Sequence, residues 1–162
     1  MNNIGIRPAG KDDLEAINRI IEAAIMTWDL SDRVKRLTIP TYKYDTMDLQ
    51  HLEIVVAEQE HSIVGVAAWE QANPVDAPKD KTALLLHGIY VDPQHQRRGI
   101  GSLLFKAAEK AASELQLGGL VVKAQKGSEH FYMAQDMSKL TVEDEKREFE
   151  NRYWKALGIS PQ

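Results

Sequence analysis

Apolar residues recur along this chain with two different periods. Leu14, Ile17, Ile21, Ala24, Ile25 and Trp28 fall at helical intervals and follow Asp12 and Glu15, which have capping-box spacing. They predict a first helix, preceded by a short strand over 4–7 that Pro8 stops. The polar stretch 29–49, with Pro40, Tyr42 and Tyr44, has weak periodicity and reads as an irregular second helix followed by a loop. Segments 52–58 and 62–71 read as strands of an antiparallel hairpin around Gln59-Glu60-His61. A loop over 73–78 leads to the longest strand-like run, 83–92, with Gly88 inside it, where a bulge or a close approach is expected. From 102 to 115 a helix should bury Leu104, Ala107, Ala108, Ala111 and Leu115, with Lys106, Glu109, Lys110 and Glu114 outside. It is expected to stop at Gly118-Gly119, before a strand over 120–124 and a short helix over 129–135. Segments 140–142 and 152–157 alternate like paired strands, although Phe149, Tyr153, Trp154 and Leu157 also suit a helix.

The strand at 83–92 and the helix at 102–115 are joined by Val91-Asp-Pro-Gln-His-Gln-Arg-Arg-Gly-Ile-Gly-Ser102. Gly99 and Gly101 allow φ > 0 and close approach of a bulky ligand. The first amides of a helix have no partner within it and carry the positive end of its dipole. With the helix beginning near Ile100, and with Arg97 and Arg98 beside it, the loop is a phosphate cradle in outline. A dinucleotide fingerprint would need a third glycine where Leu104 stands, and no Gly-Lys-Ser/Thr of a Walker loop occurs.

The bulk properties narrow the field. With 162 residues, 43% hydrophobic and 27% charged, one globular domain over 1–162 is the simplest organisation. No apolar run approaches a membrane span and no signal peptide opens the chain, so a cytoplasmic protein without membrane association is expected. The absence of cysteine excludes disulfides, thiolate metal sites and a cysteine-acyl intermediate. A net charge of −4 argues against nucleic acid, and Lys11, Arg33, Lys35 and Arg36 read as a solvated face. His51, His61, His95 and His130 lack metal-ligand spacing, so no metal is expected.

The order Val91, Pro93, Gln96, Gly99, Gly101 before an Ala/Leu-rich helix resembles the acetyl-CoA signature of the GNAT superfamily of N-acetyltransferases. Ile6-Arg7-Pro8-Ala9 with Asp13-Leu14 is similar to that family's first strand and the start of its first helix, and Phe131-Tyr132 to a pair after its fifth strand. The resemblance implies an α/β fold with a central mixed sheet flanked by helices, a C-terminal hairpin, and acetyl-CoA as cosubstrate. It places the cofactor on Ile89, Tyr90, Val91, Gln96, Arg97, Arg98, Gly99, Ile100, Gly101 and Ser102. Gln125 and Ser128 join them, standing where members often carry Asn and Ala; Asp136-Met137 replaces a usual Gly-Phe.

Acetyl transfer to an amine sets three tasks. An alkylamine with a pKa like that of lysine is neutral at pH 7 in roughly one molecule in a few thousand, so a proton must be removed. The oxyanion must be stabilised and the departing thiolate protonated. His87 shares a strand face with Ile89 and Val91 and is similar in position to a catalytic histidine of arylalkylamine N-acetyltransferases, which makes it the leading base. Glu70 is the alternative and Glu58 a weaker one, while Asp92 should cap the turn. Tyr132 matches the tyrosine that donates to the CoA sulfur in many members, with Phe131 packed on the sheet. A backbone amide near Ile89 to Val91 would face the oxyanion. Trp28, Tyr42, Tyr44 and Trp69 suit core packing better than the wall of an acceptor pocket. The acceptor expected is a small-molecule primary amine, acetylated directly in a ternary complex. A protein or peptide acceptor, or a non-catalytic acyl-CoA sensor, are the alternatives, and a homodimer is left open.

Overall fold

The computed structural model describes residues 3–125, 127–142 and 151–158. The strands are β1 (Ile4–Pro8), β2 (Glu53–Gln59), β3 (Ser62–Gln71), β4 (Ala83–Val91), β5 (Gly119–Lys123), β6 (Ser138–Lys139) and β7 (Arg152–Ala156). Among the described residues they form one mixed seven-stranded sheet in the order β1-β2-β3-β4-β5-β7-β6. The helices are α1 (Leu14–Met26), α2 (Asp32–Tyr42), α3 (Thr46–His51), α4 (Ile100–Glu114) and α5 (Glu129–Ala134). The α/β class and the mixed sheet expected from the sequence are both present. The chain divides into two compact units, Met1–Ala68 with Ile89–Leu104 and Trp69–Gly88 with Phe105–Gln162.

In the first unit, β1 lies antiparallel to β2 from Ile4↔Gln59 to Pro8↔Val55. The turn after β2 holds Glu60 at φ 50° and His61 at φ 66°. Two consecutive positive φ values match the right-handed twist of the flanking strands, which is why so short a loop closes. Helix α1 buries Ile17, Ile20, Ile21, Ala24 and Ile25 against Ile39, Ile54, Val56, Val66, Ala68 and Tyr90. Ile17, Ile21 and Ile25 are fully buried, so truncating any one to alanine would cost about 2–5 kcal/mol. The start of α1 differs from the expected box. Asp12 lies inside a 3-10 turn over Lys11–Asp13, and Asp13 Oδ2 accepts from Gly10 N–H at 2.7 Å. Arg7 explains the choice: its guanidinium donates to both Asp13 oxygens (2.8 and 3.0 Å), fixing Asp13 rather than Asp12 at the cap.

Segment 29–49 holds more helix than expected. Ser31 caps α2, accepting from Val34 N–H, and Pro40, inside the helix near its end, has no N–H to give to the Arg36 carbonyl. Lys35 is buried and donates to the Met26 carbonyl at 2.8 Å, satisfying an open acceptor at the end of α1. The expected loop contains α3, started by a reciprocal box in which Asp48 N–H donates to Asp45 and Asp45 N–H to Asp48 (3.0 and 2.8 Å).

In the second unit β4 and β5 are parallel, from Ala83↔Gly119 to Leu86↔Val122, with α4 as the crossover between them. The pairing ends at Leu86 although β4 runs on to Val91. β7 lies antiparallel to β5 and to β6, which supports the C-terminal strand pair, with its first strand at 138–139 rather than 140–142. The buried positions of α4 are Leu104, Phe105, Ala108 and Ala112, whereas Leu115 is 60% exposed. The helix is therefore rotated from the expected face, because the bulk of Phe105 outweighs alanines that fit either side. It also ends earlier, with Gln116 in the left-handed region at φ 59°, and Gly119 belongs to β5.

Candidate functional site

The β4–α4 turn has the architecture the sequence proposes. Asp92 caps it, accepting from Gln94 N–H at 3.0 Å, while its own N–H bonds the Val64 carbonyl at 2.9 Å and ties the turn to β3. A 3-10 turn over Pro93–His95 leads to Arg97 at φ 65° and Gly99 at φ 80°. A Cβ built on Gly99 would meet nothing within 4 Å. Leu103 N–H bonds the Gly99 carbonyl at 3.0 Å, so Ile100 and Gly101 open α4 with amides that have no acceptor a turn back. Gln96, Arg97, Arg98 and Gly99 are exposed, and neither arginine makes an ion pair among the described residues. Ile100 is 1% exposed, which anchors the first turn of α4 from below. Ile89 and Val91 are half-buried on β4. Tyr90 turns the other way: its ring joins the core of the first unit beside Tyr42, 6.5 Å between centroids, leaving only backbone to a ligand.

Trp28, Tyr42 and Tyr44 pack against that same core, and Trp28 meets Tyr42 edge-on at 5.8 Å. Trp69 is 5% exposed. Core packing holds the first three, and Trp69 is buried.

In the second unit His87 and Glu70, read from the sequence as alternatives, are partners. His87 Nε2 and Glu70 Oε2 are 2.5 Å apart. The alternation along β4 buries Leu86 and Gly88 and turns His87 outward, and β3 buries Trp69 and turns Glu70 outward. Sheet pleat thus presents both side chains from a fixed backbone. Glu58 is engaged elsewhere, accepting from Arg7 at 2.9 Å.

Tyr132 and Phe131 both lie on α5. Tyr132 is 4% exposed and Phe131 half-buried, their rings edge-on at 5.2 Å. Ser128 starts α5 without capping it through its side chain; its Oγ donates to the Gln125 carbonyl at 2.7 Å. That bond and Gly127 at φ 100° shape the turn that carries Gln125. Tyr153 of β7, which no sequence signal marks, donates from its hydroxyl to Glu129 at 3.0 Å. Burial, and then the Glu129 carboxylate, push the Tyr153 hydroxyl pKa up from its ordinary value. The two residues stand 24 positions apart; Tyr153 is paired with Val122 on β5, and Glu129 reaches it from α5.

No group of His, Asp and Glu suited to a metal occurs among the described residues. Nor is any described helix long and apolar enough to cross a membrane.

A family model described as acetyltransferase (GNAT) family matches residues 21–137. No match was found among curated proteins. Among solved structures, the chain is similar to the PaiA N-acetyltransferase of Thermoplasma acidophilum in complex with coenzyme A. Identity there is 13%, coverage 96% of this chain and 99% of that one, and TM-score 0.76. It is also similar to a GNAT family acetyltransferase of Brucella melitensis in complex with acetyl-CoA, at 18% identity, 100% and 94% coverage and TM-score 0.67. A ribosomal-protein-alanine N-acetyltransferase of the same organism is 20% identical, with 94% and 99% coverage and TM-score 0.61. At these identities the structures speak for a shared fold.

Proposed function

The chain belongs to the acetyltransferase (GNAT) family, and from that membership we propose that it transfers an acetyl group from acetyl-CoA to the primary amine of a small molecule. The observation that carries the cosubstrate is the β4–α4 turn. Open amides at the start of α4, an uncrowded Gly99 in the left-handed region and two exposed arginines together make an anion site. The similar structures in complex with coenzyme A and acetyl-CoA support the same reading. Backbone amides over 96–102 hold the pyrophosphate in this proposal, with Arg97 or Arg98 adding charge, while backbone at Ile89 to Val91 faces the thioester and Gln125 and Ser128 the rest of the cofactor. The unit of function is residues 1–162 as one domain, located in the cytoplasm.

Transfer is direct, in a ternary complex, as a chain without cysteine favours. His87 takes the proton of the acceptor ammonium, and the neutral nitrogen attacks the thioester carbonyl. The resulting oxyanion is met by a backbone amide of β4. As the carbon–sulfur bond breaks, the Tyr132 hydroxyl protonates the leaving thiolate, the attacking nitrogen gives up its second proton to water to become the neutral amide, and water returns a proton to Tyr132.

The test is an acetyl-transfer screen over polyamines, arylalkylamines, amino acids, aminoglycosides and peptides, followed by pH–rate profiles on the best acceptor. The small-molecule reading expects turnover of a free amine, and turnover of peptides alone would replace it. His87→Ala should lose rate mainly near neutral pH and recover as the acceptor deprotonates itself. Tyr132→Phe should lower kcat with little change in acetyl-CoA affinity. General acid–base losses run at about 10²–10⁴-fold, so an effect below tenfold would remove either residue from its role.

A further inference from the structure

His87 and Glu70 stand 2.5 Å apart through Nε2 and Oε2, and this single contact constrains which atom of the imidazole can act. An ionised carboxylate only accepts hydrogen bonds, so the hydrogen between the two atoms belongs to Nε2. A neutral imidazole has one N–H and one bare nitrogen. With Nε2 committed to Glu70, the bare nitrogen is Nδ1, and Nδ1 makes no hydrogen bond to any described residue.

We infer that Glu70 is a positioning residue that holds His87 in its Nε2–H form, so that Nδ1 is the atom that takes the proton of the acceptor. The inference rests on the reading of His87 as the base. The proton balance is simple: Nδ1 gains the proton from the ammonium, Nε2 keeps its own, and Glu70 stays ionised beside the imidazolium. The carboxylate then supports the charge that forms on the ring without entering the transfer. The backbone supports this arrangement, because His87 lies between buried Leu86 and Gly88, and Glu70 follows buried Trp69. Neither side chain can reach the opposite face of the sheet without a register slip. Both remain partly exposed, at 34% and 42%, so the contact contributes little to stability and its removal should leave the fold intact.

The first measurement needs no turnover. Nitrogen-15 spectra of the protein labelled in histidine, taken where His87 is neutral, should show Nε2 bearing hydrogen and Nδ1 without it. In Glu70→Ala the two forms should mix. A wild-type spectrum with the hydrogen on Nδ1, or one unmoved by Glu70→Ala, would overturn the inference whatever the enzyme acetylates. The second is a double-mutant cycle on the best acceptor. Glu70→Ala should lower kcat by roughly tenfold or more with the acetyl-CoA KM nearly unchanged, and Glu70→Ala with His87→Ala should match His87→Ala alone within about twofold, since Glu70 acts only through the ring. Multiplicative losses would instead make Glu70 a base in its own right. If His87→Ala alone retains full activity, the base assignment of the preceding section fails, while the spectra still decide which nitrogen carries the hydrogen.

Discussion

Replacing Gly99 with asparagine should separate ligand binding from folding at the β4–α4 turn. Gly99 sits at φ 80°, where an ordinary L-residue loses about 1–2 kcal/mol. Asparagine tolerates the left-handed region better than most, and the structure adds no steric term, because a Cβ there meets nothing within 4 Å. The folding cost should therefore be about 1 kcal/mol or less, a fall in Tm of roughly 2–4 °C for a chain of this size. Binding should respond differently. The empty space beside Gly99 is the approach the pyrophosphate would use, and a side chain there pushes it away from the amides that open α4. A tenfold loss of CoA affinity corresponds to about 1.4 kcal/mol, less than one good phosphate contact to a charged or amide donor contributes. Calorimetric titration with CoA, beside a thermal scan of the same sample, gives both quantities. Gly99→Val should show the binding loss with a larger drop in Tm, because a β-branched residue is strained at positive φ. A folded Gly99→Asn protein that binds CoA as tightly as wild type would refute the placement of the pyrophosphate on this turn.

Two further outcomes follow from the packing and the charges. At Gly65 an added Cβ would lie 3.0 Å from Ile100 Cγ2 and Leu104 Cδ1, and 3.3 Å from the Tyr90 carbonyl. Gly65→Ala should cost about 1–3 kcal/mol in urea unfolding and displace the first turn of α4. CoA affinity should fall with it, and an unchanged urea midpoint would show that the helix yields freely. Arg7 holds the Asp13 carboxyl below its usual range, chiefly through their hydrogen bonds, helped by Gly10 N–H. A pKa lower in the folded than in the unfolded chain gives stability that is complete above pH ~4 and fades as pH falls through the folded value. Arg7→Met should thus be less stable than wild type at pH 7, by about 1 kcal/mol for a pair whose arginine is 41% exposed. The gap should close in acid; a difference independent of pH would assign it to packing instead.

What the sequence conveys about this fold is mostly short-ranged. The strand 62–71 appears with the limits expected, since alternation and a turn are local signals. The Gly-rich turn is equally readable, because the geometry it needs is written into the residue types. Helix α3 shows a local signal overlooked: Asp45 and Asp48 form the box, but six residues carry too little periodicity to stand out from a loop. The rotation of α4 could not be read at all, since its alanines suit either face and only the packing of Phe105 decides. The site divides the same way. His87 and Glu70 were visible singly, yet their contact depends on how two strands align. That Tyr132 is buried more deeply than Phe131 depends on which way a six-residue helix faces.

The order β4-β5-β7-β6 has a consequence for how the protein is made. One edge of β5 pairs with β4, but its other edge is filled by β7, the last in sequence of the described strands. Until Arg152–Ala156 leave the ribosome, Leu120, Val121 and Val122 present an apolar strand with a row of unpaired amides and carbonyls. Such an edge is a template for pairing with another nascent chain. Once β7 is in place the hazard passes outward to β6, which has only two residues, both exposed, and so offers almost nothing to pair with. The sheet thus ends on a strand with little to offer, and the speed of elongation sets how long the β5 edge stays open before β7 covers it.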